Sequence, residues 1–448
     1  MKYYTPESVE KREEMLKEVG RSREDLFRSV PENLRFDLKN IKHLNEDGLS
    51  EMEVAQIISG MAAKNKTVRE YDSYLGAGFY DHYSPSPIHH LISRQEYLTS
   101  YTPYQQEISQ GTLQAYFEWQ TYICRLTKMD ISNASLYDGP SAAAEAALMA
   151  LRSVKKANKI FVSGTTHPDV IETLHTYLHA QGFEVEVGEV DDHGKTVYPK
   201  DPEGCACFIV QSPNFYGIVE DLNELSSYAH EHKALAVSYC DPIALTLLQA
   251  PGDCDIDIAI GEAQSLGLPM SFGGPALGYM ATKEKYLRKM PGRICGETLD
   301  KNGKKAYVLT LQAREQHIRR EKATSNICTS QALMATAATI YMALNGETGM
   351  RDVSEQSAAK ALYLQKALME TGLFKLPYDS VFFNEFLVEA TDSRLNVKKM
   401  VEDLVDQKIL AGYPVDDHRL LLAVTETKSK EQMDHFVAAV KAYAEKLA

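Results

Sequence analysis

From Lys159 to Ile260 the chain alternates short apolar, β-branched runs with helical stretches. In order these are KIFVS, a helix over residues 170–181, EVEVGEV, CACFIVQ, a helix ending near His232, ALAVSYC and IDIAI. Runs of this length that stay apolar throughout, with helices between them, are what a mostly parallel sheet covered on both faces requires. The fold class that follows is α/β. A chain of 448 residues exceeds what one hydrophobic core usually organises, and three regions are expected. Residues 1–66 read as a helical arm, with Thr5 as a cap before Pro6, Gly20 past a first helix, and a Ser50/Glu53 capping box before VAQIISGMAAKN. Residues 67–330 form the large α/β domain. Residues 331–448 form a smaller α+β domain with two helices, QALMATAATIYMALNG and one around residues 357–370, and the strands FFNEFLVEA and RLLLAVTET.

Parallel α/β sheets bind ligands in the crevice outside the carboxyl ends of their strands. ALAVSYC ends on Asp241-Pro242, where proline stops the strand and presents the carboxylate, and IDIAI opens into GEAQSLGLPMSFGGPALGY. Asp241 and Gln264 therefore face one crevice. An aspartate there can pair with a pyridinium nitrogen, and a lysine at position 264 would hold pyridoxal phosphate as an imine. Glutamine cannot form that bond.

Other candidates gather at the same end. Gly139-Pro140-Ser141 opens the helix AAAEAALMALRSV, and a glycine turn into a helix N-terminus offers N–H groups to phosphate, although many βα turns of this kind bind nothing. Asn214, after Pro213, either bonds a cofactor ring substituent or shapes an ordinary turn. His167 either stacks on a ring or caps the helix that follows it. Gly273 and Gly274 permit close backbone approach behind Gln264. His230 and His232 point apart on a helix and make a poor metal pair, and no metal site is expected. Cys205 and Cys207 alternate in a strand and are expected on one side of it, as packing. The seven cysteines are an odd, scattered set suited to reduced thiols.

The charge balance, 48 Lys+Arg against 62 Asp+Glu for a net −14, argues against nucleic acid or an anionic membrane as partner. MKYYTPESVEKREEMLKEVG has the character of neither a signal nor a transit peptide, and no apolar stretch approaches membrane-spanning length; the expected location is the cytoplasm. Ten tyrosines between Arg69 and Tyr137, with the single Trp119, suggest a half-wet lining.

The stretches LTSYTPYQQEISQGTLQAYFEWQ, LTKMDISNASLYDGPSAAAEAA, VQSPNFYGIVEDL, SFGGPALGY, PGRICGET and REQHIRREKATSNICTSQALMA closely resemble the P-protein family of the glycine cleavage system. The resemblance covers nearly the whole chain. It implies a pyridoxal-phosphate-dependent transferase fold of type I, aspartate aminotransferase-like. In that family the protein is one chain of two homologous halves or two separate subunits, and this length matches the separate N-terminal, alpha half. Ungapped alignment with the beta half sets Gln264-Ser265 opposite its Lys-Thr, so the resemblance implies that pyridoxal phosphate is bound covalently by a partner beta subunit, in αβ pairs that assemble as α2β2. It further implies that glycine is decarboxylated with release of CO2, and that the aminomethyl group passes to the lipoyl arm of the H-protein. Gly139, Ser141, His167, Asn214, Asp241, Gly273 and Gly274 would then be remains of a cofactor site. Ser100, Tyr101, Tyr104, Gln105 and Glu107, polar residues around Pro103, are candidates to line the crevice at the subunit interface, or else only pack that interface.

Two other readings compete. In one, the chain is an independent aminotransferase-like enzyme that recruits Lys283 or Lys285, although TKEKYLRK looks like a solvated face. In the other, it is a non-catalytic scaffold for the beta subunit. Arg394 and Arg419 are read as surface arginines, since a strong bidentate clamp on a carboxylate would hold the ground state against its loss.

Overall fold

A computed structural model describes residues 8–36, 49–312, 316–323 and 325–446. The chain divides into two compact units, Met1–Thr67 and Val68–Ala448. In the first, helices span Val9–Glu18, Arg23–Leu26 and Glu51–Ala62. Ser8 caps the first of them, and Gly20 follows its end at φ 63°. The expected Thr5–Pro6 cap lies outside the described residues. The Ser50/Glu53 capping box forms, yet none of the described residues of this unit is buried. Met52, Ile58 and Met61 stand exposed along the third helix.

The second unit is built on a seven-stranded sheet: β1 (Ile131–Ser132), β2 (Lys159–Val162), β3 (Glu184–Val187), β4 (Cys205–Gln211), β5 (Leu235–Tyr239), β6 (Ile258–Glu262) and β7 (Gly278–Thr282), in the spatial order β1-β7-β6-β5-β4-β2-β3. Strands β3, β2, β4, β5 and β6 are parallel, and β7 runs antiparallel to β6 and β1. Every residue of β4 is buried, as the middle of a sheet covered on both faces demands. Helix α1 (Gly139–Leu151) lies on one face, and its alanine run lets the helix approach the sheet closely. Helix α2 (Pro168–His179) packs beside it.

Cys205 and Cys207 do not share a side. The β2–β4 register slips between Lys159↔Cys205 and Phe161↔Phe208, and such a bulge adds one residue and reverses the alternation. Cys207 therefore packs with Ile209 and the α1 face, while Cys205 packs with Phe208 and Val210 on the other.

The two helices expected after residue 331 form one run, α3 (Ala332–Met369), broken at Gly346 with φ 61° and ψ −175°. Its residues through Met350 belong to the core around Trp119 and Leu266. Ala361, Leu364 and Leu368 belong to the core of a small antiparallel sheet that includes Glu385–Ala390 and Arg419–Ala423. Among the described residues no helix is long and apolar enough to cross a membrane.

Candidate active-site crevice

Strands β5 and β6 end side by side, and their carboxyl ends open on a crevice lined by Gly78, Tyr80, His167, Gln211, Pro213, Gly217, Tyr239, Asp241, Glu262, Ser265, Asn384 and Glu385. Sequence reasoning set Asp241 and Gln264 facing one crevice; Asp241 lines it, whereas Gln264 is fully buried outside the lining and reaches it through Tyr80, which it bonds. Asp241 Oδ1 accepts from Ser265 Oγ at 2.6 Å and Ile243 N at 2.9 Å. Its Oδ2 is buried with no partner among the described residues, and burial raises its pKa.

Gln264 is fully buried and fully engaged. Its Oε1 accepts the Tyr80 N–H at 2.8 Å, and its Nε2 donates to the Tyr80 and Leu268 carbonyls at 3.1 and 2.6 Å. The amide thus pairs with the Tyr80 backbone as a neighbouring strand would, which a lysine, lacking an acceptor, cannot do. The pairing holds the segment from Asp72 to Tyr83 across the crevice. That segment is fixed at four further points: Ala77 N donates to Glu385 Oε1 at 2.7 Å, Tyr80 OH to Glu385 Oε2 at 2.9 Å, Tyr83 N to Glu426 Oε1 at 2.7 Å, and His82 Nδ1 meets Glu426 Oε2 at 2.7 Å. Burial pushes Glu385 up to about 7, against the pull of its Ala77 and Tyr80 donors. Burial opposes charge on His82 and Glu426 as well. Their mutual hydrogen bond and attraction outweigh it, raising the histidine and lowering the glutamate.

The start of α1 carries its own anion. Glu262 Oε2 accepts from Gly139 N at 2.9 Å, and Oε1 from Leu277 N at 2.7 Å and Gln264 N at 3.1 Å. Burial pushes this carboxyl up to about 7 while the three N–H donors pull it down, so it is ionised above neutral pH at the positive end of the helix. Asp138 takes Ser141 N and Oγ, both at 2.7 Å. A Cβ at position 139 would collide with the Tyr239 hydroxyl. The N–H groups that phosphate would use are therefore taken by Glu262 and Asp138.

His167 does what the helix-capping alternative required. Its Nδ1 accepts Asp169 N–H at 3.1 Å and its Nε2 lies 2.9 Å from Ala77 O, so the network puts the proton on Nε2. Asn214 belongs to the turn: its Nδ2 donates to Gly194 O and Glu220 Oε1, and its Oδ1 accepts from Tyr216 and Ile218 N–H groups. It has no group left for a ring substituent. Gly273 is exposed and Gly274 half-buried in the loop around Phe272, which is 79% exposed, and neither lines the crevice.

The second set of candidates lies elsewhere. Tyr101 is 77% exposed and Tyr104 59%, Ser100, Gln105 and Glu107 are exposed, and Ser100 Oγ meets Thr112 Oγ1 at 2.8 Å. None lines the crevice. Lys283 pairs with Asp255 and Asp257, and Lys285 with Asp257. They follow β7, whose end pairs with the start of β6, at the opposite edge of the sheet. His230 is bonded to buried Asp257 at 2.7 Å rather than left to solvent. Arg394 pairs with Asp392 and Arg419 with Asp416. No group of three metal-ligating side chains exists among the described residues.

Pyridoxal phosphate does not fit this crevice. The cavity leaves about 30 Å³ for the centres of water-sized molecules, enough for two or three waters at roughly 10–15 Å³ each but not for a phosphorylated ring. Glu262 occupies the N–H groups at the start of α1, Gln264 is bonded to the Tyr80 backbone, and Tyr80 lines the crevice between them. Asp241 Oδ2 and Asn384 Nδ2, both on lining residues, are buried without a partner among the described residues. Sequence reasoning missed Glu262, Tyr80, His82 and Glu385. A glutamate ending a buried strand was a visible signal for the first, while the other three come from segments remote in sequence.

Residues 2–440 match the family model described as glycine cleavage system P-protein. A protein of Listeria innocua named "Probable glycine dehydrogenase (decarboxylating) subunit 1" is 46% identical, with 98% of each chain covered. One of the same name from Desulfitobacterium hafniense is 44% identical, over 98% of this chain and 99% of that one. The crystal structure of glycine decarboxylase (P-protein) of the glycine cleavage system, in inhibitor-bound form, superposes with a TM-score of 0.86 at 38% identity, covering 98% of this chain and 99% of that one. A glutamate decarboxylase from Lactobacillus brevis shares the fold alone, at TM-score 0.70 and 14% identity over 93% of this chain and 97% of that one. The chain thus has the type I fold of pyridoxal-phosphate-dependent enzymes.

Proposed function

Since the chain belongs to the P-protein family of the glycine cleavage system, we propose that it is the subunit of a two-subunit glycine decarboxylase that carries no cofactor of its own. The relatives' designation as subunit 1 supports a second, homologous partner. Glycine loses its carboxylate as CO2 at the partner's site, and the aminomethyl group passes to the lipoyl arm of the H-protein. Pyridoxal phosphate, held by a lysine of the partner, supplies the electron sink. The assembly is an αβ pair, doubled as α2β2, in the cytoplasm. One observation supports this reading: Gln264, which the resemblance sets opposite the partner's lysine, is an amide whose three hydrogen bonds hold Tyr80 and Leu268.

In this division the chain contributes surface rather than chemistry from its crevice. Ser100, Tyr101, Tyr104, Gln105 and Glu107 line the partner's site from outside. Absorbance with added pyridoxal phosphate, before and after borohydride, tests the first part. No reducible imine in this chain alone, with glycine-dependent CO2 exchange only after mixing with the partner, is the expected result. A trapped lysine in this chain, with activity, refutes it. The closed crevice equally favours a second reading, a scaffold that only stabilises the partner. Tyr101→Phe and Tyr104→Phe separate the two: a contributor alters turnover per assembled site, whereas a scaffold leaves turnover unchanged.

A further inference from the structure

Arg293, in PGRICGET, is only 3% exposed and has no carboxylate partner among the described residues. Its Nη2 donates to Cys328 O at 2.6 Å, its Nη1 reaches Thr329 Oγ1 at 3.3 Å, and Tyr104 OH lies at 3.5 Å from Nη2. Its Nε is buried without a partner among the described residues, and Ser330 Oγ, next to Thr329 in sequence, has only a weak contact with the Tyr116 hydroxyl. The Tyr104 ring covers the guanidinium at 5.7 Å. Tyr116, buried and close enough to feel the Arg293 charge, adds a further hydroxyl near Ser330. Arg94, Arg351, Arg394 and Arg419, by contrast, each sit on a carboxylate.

A guanidinium withdrawn from water without a counter-charge, and with one N–H unmet, is a costly arrangement for packing alone. Five planar donors surrounded by hydroxyls match an oxyanion, taken in bidentate fashion. We propose that Arg293, with Thr329, Ser330 and the hydroxyls of Tyr104 and Tyr116, forms an oxyanion-binding site for a carboxylate or phosphate group. The Nε–H is its unfilled donor. Tyr104 closes over the site from the solvent side and moves aside to admit the ligand. The site stands apart from the Asp241 crevice, since none of its residues lines that cavity.

The test uses the full chain by itself, so that its outcome is independent of the proposed activity. Thermal midpoints are followed against sodium phosphate and sodium acetate, each compared with sodium chloride at equal ionic strength. A ligand that binds only the folded state raises the midpoint with its concentration. The expected result is a saturable rise with one or both oxyanions, at least tenfold weaker in apparent affinity for Arg293→Met and intermediate for Arg293→Lys. Saturation by phosphate alone assigns the site to phosphate groups, and saturation by both assigns it to carboxylates as well; either supports the proposal. Should Arg293→Met fail to fold, Ser330→Ala and Thr329→Val carry the test, each expected to weaken the oxyanion response severalfold. No response beyond chloride in the native chain, or an unchanged response in the variants, overturns it.

Discussion

Replacing Gln264 by lysine supplies the residue type that an imine needs, and the crevice predicts that no imine forms. In Gln264→Lys the Tyr80 N–H, which now donates to Oε1 at 2.8 Å in a part-buried setting, loses that partner, a penalty of about 1–3 kcal/mol. The ammonium can keep the Tyr80 and Leu268 carbonyls but must shed water inside a site of zero exposure. Attraction to Asp241 and Glu262 offsets part of that desolvation, leaving about 2 kcal/mol more. The total is about 3–5 kcal/mol. For a body of about 380 residues, with an unfolding entropy of roughly 2 cal/mol/K per residue, this lowers the thermal midpoint by roughly 4–6 °C. The assay is calorimetry of the full-length variant, followed by pyridoxal phosphate and borohydride. The expected outcome is a lower midpoint and no reduced imine at position 264. A variant with an unchanged midpoint that forms a trappable imine would refute the argument that the chain fills its own crevice.

Three further predictions rest on neighbouring groups. Glu262 and Glu385 have pKa values raised from 4.5 to about 7 by burial. Raised carboxyls contribute stability that is full below pH 4.5 and lost as pH rises through about 7, on the order of 3 kcal/mol each. Stability should therefore fall between about pH 5 and pH 8, and Glu385→Gln should flatten part of that slope at small cost, because the Tyr80 hydroxyl can turn to accept from the new amide; an unchanged slope counts against a buried, titrating Glu385. Glu262→Gln should instead cost about 1–3 kcal/mol, since its Nε2 would face the Gly139 N–H, and denaturation at pH 8 with no loss would show that the helix start does not depend on this anion. Of the seven cysteines only Cys328 is exposed, so a thiol reagent should label one site rapidly in the native chain, and Cys328→Ser should abolish that phase.

How much of this could be read beforehand divides by sequence distance. The alternation from Lys159 to Ile260 is local, as is the glycine turn into α1, and both formed where their patterns placed them. The side taken by Cys205 could not be read from alternation, because a one-residue bulge has no composition of its own. Gln264 was legible as a residue that cannot form an imine and illegible as a staple. Its partner Tyr80 lies 184 residues away, and Tyr80 is tied in turn to Glu385, 305 residues further on. No periodicity links such positions. The same holds for Asn214, whose turn chemistry and possible ligand chemistry use the same atoms until Glu220 is seen to claim them.

The four residues that close the crevice behave as one unit. Glu262 accepts the backbone N–H of Gln264, Gln264 holds Tyr80, and Tyr80 bonds Glu385, which also holds Ala77. Groups joined in this way do not contribute additively, so no single substitution reopens the space: removing Glu262 leaves Tyr80 across the cavity, and removing Tyr80 leaves the helix N-terminus neutralised. The network thereby resists opening by any single change. Asp241 Oδ2 and Asn384 Nδ2, on two residues that line the crevice, are buried groups that it leaves without a partner among the described residues. Tyr101, Tyr104 and Phe272 stand exposed on the surface, outside the crevice. If the chain acts in glycine decarboxylation, that surface and the Arg293 pocket beneath Tyr104 are where its substitutions should change turnover.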